Sequence, residues 1–216
     1  MYRNLDKLLE GAKKKLRATF NRLGSMGFDE LNVVNTRKVT QEMFDRFLAD
    51  NELMYLSAAK KAYSKAVESA KVAGYSGKEE TEIDGSWVAG MLAAYNLVTG
   101  YLYPREADRK RLRLNEQILT AREYDSREMF NSSLQRTANL WWTQTVQYGI
   151  SAVDEATIQG FADMGVKKVR WDAADDEKTC PTCGSRDGKI YDITKVPPKP
   201  HYGCRCQIAA VEVEEI

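Results

Sequence analysis

Histidine and cysteine are almost absent from this chain of 216 residues, which has one histidine and four cysteines. The first 179 residues contain neither type. A hydrolase that depends on a histidine base would therefore have almost nothing to use. Phosphate-loop, Gly-x-Ser-x-Gly and His-Glu-x-x-His motifs are also missing from the sequence. These absences predict that the protein is not an enzyme.

Long apolar runs and a strong excess of one charge are missing as well. The sequence has no run of about 18 apolar residues, the length that marks a membrane-spanning helix. Its beginning, Met1 to Asp6, lacks the apolar core of a signal peptide. The formal net charge is only +1, so bulk attraction to a polyanion is not implied. These features predict a protein made in a cytoplasm, without a membrane partner.

The soft metal ligands are all confined to one proline-rich segment near the C-terminus, which also holds four of the five prolines. The candidate ligands are Cys180, Cys183, His201, Cys204 and Cys206. Two cysteines separated by two residues place both thiolates in one turn, and the next pair follows at a spacing typical of zinc sites. The second pair is Cys-x-Cys, whose side chains point to the same face of an extended segment. The pattern predicts one structural Zn²⁺.

Five candidates compete for about four positions around the ion. We favour the four thiolates, with His201 either replacing one of the last two cysteines or lying just outside as a support. A site closed by four protein ligands leaves no position for a reactive water. Two disulfides, or inert thiols in a small core, are the alternatives to a metal.

The same segment resembles the C-terminal signature of the phage Mu protein F-like family of head-morphogenesis, or minor capsid, proteins. The resemblance lies in a strand ending at Trp171, Asp-x-x-x-Thr-Cys-x-x-Cys from Asp175, Gly-Lys-Ile-Tyr from Gly188, two prolines, and His-x-x-Cys-Arg-Cys from His201. Tyr202 departs from the pattern, which usually has proline there. The signature covers roughly residues 166–210.

The resemblance implies a minor head protein that joins the phage procapsid near the portal and helps head assembly, DNA packaging or DNA ejection. Its partners would then be the portal protein, the major capsid protein or both, with several copies in each virion and assembly in the host cytoplasm. The alternative is a zinc-ribbon nucleic-acid-binding protein without a role in the virion.

Hydrophobic periodicity predicts a mainly α fold: an elongated helical region that interacts with the head or portal at residues 1–165, and a small β-rich zinc-binding module at 166–216. The predicted helices cover residues 2–23, 40–73, 85–102, 126–149 and 151–164, with caps at Asp84, Asp125 and Ser151 and an end at Gly165. Residues 24–39 are predicted as a linker with an extended piece at 31–34. Strands are predicted at 166–171 and 207–213, paired with each other.

The first predicted helix carries seven positive and two negative side chains, which gives it a charge of +5. Such a face is most often simply solvated. It is also the candidate for sequence-independent contact with packaged DNA. The candidate residues are Lys7, Lys13, Lys14, Lys15, Arg17 and Arg22. A second basic cluster follows Pro104, between Arg105 and Arg113, for which a solvated helix face is again the more common explanation.

Overall fold

A computed structural model of the chain describes residues 2–99, 103–174, 179–201 and 203–212, and for residues 2–4, 98 and 99 it describes the backbone only. Within these ranges the protein is mainly helical, with one small antiparallel sheet near the C-terminus, as predicted. No helix in this part is both long and apolar enough to cross a membrane. Four predicted features lie outside the described residues: the helix end at Leu102, the strand end at Val213, residues 175–178 of the signature, and Tyr202.

Among the described residues, five helices precede the sheet. They are α1 (Tyr2–Gly24), α2 (Val33–Val72), α3 (Gly85–Thr99), α4 (Arg105–Glu123) and α5 (Arg127–Asp163). The predicted cap of α3 is confirmed, because the carboxylate of Asp84 accepts a 2.8 Å hydrogen bond from the backbone N–H of Trp87. The predicted end of the last helix is confirmed too, since Gly165 follows α5 with φ at +79°.

The predicted linker at 24–39 is wrong over its second half, where α2 has already begun. The side chain of Asn32 accepts a 2.9 Å hydrogen bond from the backbone N–H of Asn35, which caps the helix at its start. Val33 and Val34 therefore open a helix, although two adjacent β-branched residues favour an extended chain when read alone. The predicted extended piece at 31–34 does not form.

Two predicted helices, 126–149 and 151–164, are one continuous helix, α5. Ser151 does not cap a new helix, because its hydroxyl donates a 3.1 Å hydrogen bond to the carbonyl oxygen of Gln147 within the same helix. Asp125 does not cap the start either. Its φ is +47°, and the hydroxyl of Ser126 accepts the 3.3 Å hydrogen bond from the N–H of Met129 instead.

The described residues divide into two compact units, each with its own core. Of the described residues, one unit contains those within the ranges 1–6, 55–91 and 147–216. Small residues bring its helices close together: a Cβ on Gly160 of α5 would lie 2.9 Å from the Cβ of Ala66 on α2. The other unit contains residues 7–54 and 92–146, and its centre is the fully buried Trp141, whose ring stacks on Phe47 at 4.5 Å between centroids. The predicted boundary at residue 165 stays a prediction.

The sheet consists of three antiparallel strands in the order β2-β1-β3. They are β1 (Lys168–Asp172), β2 (Ile190–Asp192) and β3 (Gln207–Ala210), with a one-turn helix, α6 (Pro181–Gly184), between the first two. The predicted pairing of the strand before the cysteines with the strand after them is confirmed, with Trp171 opposite Ile208. The sequence analysis missed β2, which pairs Val169 with Tyr191.

Candidate metal centre

The first two cysteines are positioned by the short helix α6. Cys180 is its N-cap residue, and the Cys180 Sγ accepts a 3.3 Å hydrogen bond from the backbone N–H of Cys183. Pro181 occupies the first helical position, where its fixed φ suits the turn and its missing N–H costs nothing. The Pro-Thr sequence between the cysteines therefore folds both side chains into one turn, as the Cys-x-x-Cys spacing predicts.

The structure brings the remaining candidates to the same place, on the segment that leads into β3. The ligand atoms of Cys180, Cys183 and His201 all lie within 4.8 Å of one another, and so do those of Cys183, Cys204 and Cys206. Cys183 thus belongs to both groups. The five residues that the sequence identified as candidates form one cluster with Cys183 at its centre.

The separations within this cluster fit a tetrahedral zinc site. The Cys183 Sγ lies 3.6 Å from the Cys204 Sγ and 3.6 Å from the His201 Nε2. A tetrahedral zinc ion with bonds of about 2.3 Å to sulfur and about 2.0–2.1 Å to nitrogen separates two sulfurs by about 3.8 Å, and a sulfur from a nitrogen by about 3.6 Å. Disulfides would need sulfurs about 2.05 Å apart. All four cysteines are free.

Burial of the cysteines favours the binding of a cation at this site. Cys183, Cys204 and Cys206 are buried together with Trp171 in the small core of the sheet, whereas Cys180 is half-buried and His201 is exposed. Burial raises the pKa of the Cys183 thiol, and hydrogen bonds with the neighbouring thiols raise it further. Burial also raises the pKa of Cys204. Thiolates in such a place need a positive ion, and Zn²⁺ supplies that charge when it replaces their protons.

Two positive side chains flank the ring of Trp171 beside the cysteines. The Nζ of Lys199 lies 5.5 Å from the centroid of the ring, and the guanidinium carbon of Arg186 lies 5.2 Å from it. Arg186 also donates a 2.9 Å hydrogen bond to the carbonyl oxygen of Pro198. The charge of Lys199 acts to lower the pKa of Cys204, against the larger effect of burial. Both cations are placed to offset the negative charge of a thiolate cluster.

Lys199 also connects this cluster to α5. Its ammonium donates a hydrogen bond to the carbonyl oxygen of Cys206 and lies 3.5 Å from the carboxylate of Asp154. The sequence analysis missed both Lys199 and Asp154. The position of Lys199 between two prolines, in the segment that carries the candidate ligands, was the one available signal. Its partner Asp154 on α5 is 45 positions away in the sequence, and no local pattern connects the two residues.

The six DNA-contact candidates are all exposed on α1. They are not equally available for contact with DNA, because two of them interact with other side chains. Lys15 forms a 2.6 Å ion pair with Asp50, and the Nζ of Lys13 lies 5.2 Å from the centroid of the Trp142 ring. Within the described part of the chain, Lys7, Lys14, Arg17 and Arg22 form no ion pair. Contact of this face with DNA stays a prediction.

Comparison with known proteins gives one match. Residues 111–209 match the model of a family described as "Phage Mu protein F like protein". The matched stretch runs from α4 through α5 and the sheet, and it ends within β3, so it contains all five metal-ligand candidates. No curated protein and no solved structure matches the chain.

Proposed function

We propose that this chain, which over residues 111–209 belongs to the phage Mu protein F-like family, is a minor head protein that acts in phage head morphogenesis. The family match carries the proposal, because it reaches well beyond the cysteine segment that suggested it. It includes α5 and most of α4 as well as the metal-ligand cluster. The role is structural rather than catalytic, with the chain located in the virion.

We propose further that the Cys/His cluster holds one structural zinc ion. The sheet has three short strands and a core made largely of Trp171 and three cysteines, which is too little apolar surface to stabilise such a module. Structural zinc supplies folding free energy directly in modules of this size. Cys180, Cys183, Cys204 and Cys206 are the preferred ligands, with His201 as the rival fourth ligand.

The partners that fit this role are the portal protein, the major capsid protein or both, with several copies of the chain in each head. A position beside the portal would also place the chain next to DNA during packaging and ejection. These finer assignments rest on the resemblance of the chain to head-morphogenesis proteins, and the absence of a membrane-spanning helix from the described residues is compatible with them.

Purified heads test the proposal. The chain should co-sediment with procapsids and mature heads through a density gradient, and quantitative mass spectrometry should give a fixed number of copies per portal ring. A cryo-electron microscopy map would then locate it. Recovery of the chain only with nucleic acid outside the particle would overturn the proposal and favour the zinc-ribbon nucleic-acid-binding alternative.

A further inference from the structure

The second basic cluster of the sequence, on α4, is only partly neutralised by its neighbours. Arg109 forms a 2.8 Å ion pair with Glu106, and Arg111 forms a 2.7 Å ion pair with Asp108. Those two pairs use both acidic residues of the segment from Arg105 to Arg113. Lys110 and Arg113 remain without an acidic partner among the described residues.

A third positive side chain, Arg136 of α5, lies near Lys110. The pKa of Lys110 is lowered, first by burial and then by the nearby charges of Arg136 and Arg113. Arg136 forms no ion pair in the described part of the chain, and its guanidinium donates a 3.0 Å hydrogen bond to the hydroxyl of Ser133. Lys110 therefore lies near two other positive charges, one on each helix, and none of the three side chains forms an ion pair in the described part of the chain.

A groove of about 430 Å³ between α4 and α5 adjoins this triad. Its walls are Gln117 and Thr120 of α4 and Glu128, Met129, Ser132, Ser133 and Arg136 of α5. Lys110, Arg113 and Gln117 follow one another at helical spacing, so the triad and the groove share a face of α4. Arg136 belongs both to the triad and to the wall of the groove, so the positive charge lies at the end of the groove where Arg136 is.

We infer that the basic end of the α4–α5 groove binds the phosphate backbone of nucleic acid, through Lys110, Arg113 and Arg136. Arginine and lysine are the main phosphate ligands, and serine, threonine and glutamine side chains of the kind that line this groove also donate to phosphate. The groove has no aromatic lining on which a base could stack. Binding is therefore to the backbone, without sequence preference.

The opposite end of the groove limits how the backbone lies. Glu128 is eight residues before Arg136 on α5, which places the two about 12 Å apart along the helix. A phosphate chain running the full length of the groove would meet this carboxylate. The backbone therefore crosses the groove at the Arg136 end. The inference is independent of the proposed head function, because it concerns purified protein and free DNA.

The test compares two triple variants of the full chain that remove the same charge. One changes the groove (Lys110→Gln, Arg113→Gln, Arg136→Gln), and the other changes three exposed lysines of α2 that form no ion pair in the described part of the chain (Lys60→Gln, Lys61→Gln, Lys65→Gln). Binding to a short fluorescent DNA duplex is measured by anisotropy over a range of salt concentrations. The groove variant should bind more weakly, with a log–log salt slope reduced by up to about three units, at about 0.9 for each phosphate that the protein no longer neutralises. The α2 variant should keep the slope.

Two further variants test whether the loss of charge, rather than a disturbed fold, causes the change in slope. A charge-preserving triple variant (Lys110→Arg, Arg113→Lys, Arg136→Lys) should retain most of the slope. The double variant Arg113→Gln, Arg136→Gln changes only exposed side chains and should reduce it by up to about two units.

Three outcomes would overturn the inference. They are an unchanged slope in the groove variants, an equal fall in the α2 variant, and no measurable binding of wild-type protein to DNA at low salt. Wild-type binding to polyglutamate as tight as to DNA, lost in the groove variant, would identify an acidic protein segment as the occupant instead.

Discussion

The ammonium of Lys199 lies 3.5 Å from the carboxylate of Asp154, so this ion pair links the segment that carries the last three candidate ligands to α5. Only 17% of the Lys199 side chain and 26% of the Asp154 side chain are exposed, which separates this pair from a surface salt bridge. The hydrogen bond from Lys199 to the carbonyl of Cys206 extends the link to the cysteines.

Replacing Lys199 with methionine should therefore loosen the sheet module from α5. Methionine keeps the apolar stem against Trp171 but removes both the ion pair with Asp154 and the hydrogen bond to the carbonyl oxygen of Cys206. We expect the free energy of unfolding to fall by about 1–3 kcal/mol, the usual cost of losing a hydrogen bond to a charged group. Urea denaturation followed by tryptophan fluorescence measures it.

The matched control is Lys195→Met. Lys195 lies 3.8 Å from Asp192, but both side chains are more than half exposed, so the free energy of unfolding should hardly change. Equal losses in the two variants would mean that the Lys199–Asp154 pair has no special role in attaching the module.

The central position of Cys183 leads to a prediction about the metal. Cys183→Ser should abolish binding of the single zinc ion and melt the module from about Val166 onward, while the helices survive. Structural zinc contributes on the order of 10–16 kcal/mol of apparent binding free energy in small modules. The module should therefore not stay folded when a central ligand is lost. Native mass spectrometry gives the stoichiometry, and NMR dispersion reports on the module.

Single variants of the remaining candidates decide the other ligands. Cys180→Ser, His201→Gln, Cys204→Ser and Cys206→Ser each remove one candidate, and the variant that keeps zinc identifies the residue that the ion does not need. A wild-type protein that carries no metal and yet has a well-dispersed tail would contradict the zinc assignment. Two disulfides in protein purified under reducing conditions would contradict it as well.

Local signals predicted several parts of the fold that local chemistry decides. The turn at Cys180 and Cys183, the cap at Asp84 and the end at Gly165 each follow from a few neighbouring residues, and each is present. Two local caps, Asn32 and Ser126, were missed. The break predicted within α5 is a different kind of error, because distant contacts decide there. Gly149 and Ser151 resemble a helix break, but both are buried, and α5 continues through them.

The candidate site likewise contains residues that could be predicted from the sequence and residues that could not. All five metal-ligand candidates were identifiable, because cysteine and histidine occur nowhere else in the chain. The residues that support them were not. Strand β2 depends on pairing with β1 rather than on its own three residues, and the position of Lys199 depends on Asp154 of α5. The groove triad likewise needs Arg136, which is far from Lys110 in sequence and lies on another helix.

The carboxylate of Asp163, at the end of α5, predicts a dependence of loop stability on pH. It accepts hydrogen bonds from Tyr63 at 2.6 Å, from Gln159 at 2.7 Å, and from both the N–H (2.9 Å) and the hydroxyl (3.2 Å) of Thr81. Burial alone would raise the pKa of Asp163, but these hydrogen bonds outweigh it and leave the pKa lowered. The ionised carboxylate is the form that holds the loop containing Thr81.

A lowered pKa in the folded state means that this stabilisation is complete above the unfolded pKa of about 3.9 and is lost as pH falls through the folded value. Hydrogen exchange of the Thr81 amide should therefore accelerate, relative to its intrinsic rate, below about pH 4. Asp163→Asn should show the faster exchange already at neutral pH and lose about 1–2 kcal/mol of stability.

Glu79→Gln serves as the control for this effect. Glu79 forms a 2.8 Å ion pair with Lys71 in which both side chains are more than half exposed, so its loss should not affect Thr81. The same pH dependence in Asp163→Asn as in the wild type would show that another group is responsible.

Two glycine-to-alanine variants should have effects of opposite sign. A Cβ on Gly160 would lie 2.9 Å from the backbone oxygen of Tyr63 and 2.9 Å from the Cβ of Ala66, so α2 and α5 would have to separate. Repulsion of this kind costs about 1–3 kcal/mol, which exceeds the gain of about 1 kcal/mol from alanine in a helix. Among the described residues, a Cβ on Gly90 of α3 would meet no atom of another part of the chain within 4 Å, so Gly90→Ala should stabilise the protein by about 0.5–1 kcal/mol.

The separation of α2 and α5 has a second observable consequence at Tyr63. Burial, followed by the hydrogen bond to Asp163, raises the pKa of Tyr63 to about 12. Wider spacing of the helices in Gly160→Ala weakens both effects, so the pKa should fall toward its ordinary value of about 10. Ultraviolet difference titration measures this change, and the Tyr63→Phe variant identifies the signal of Tyr63. As the control, Gly90→Ala should titrate like the wild type. If Gly160→Ala raises thermal stability and leaves the titration of Tyr63 unchanged, the close approach of α2 and α5 at Gly160 is not a feature of the folded protein.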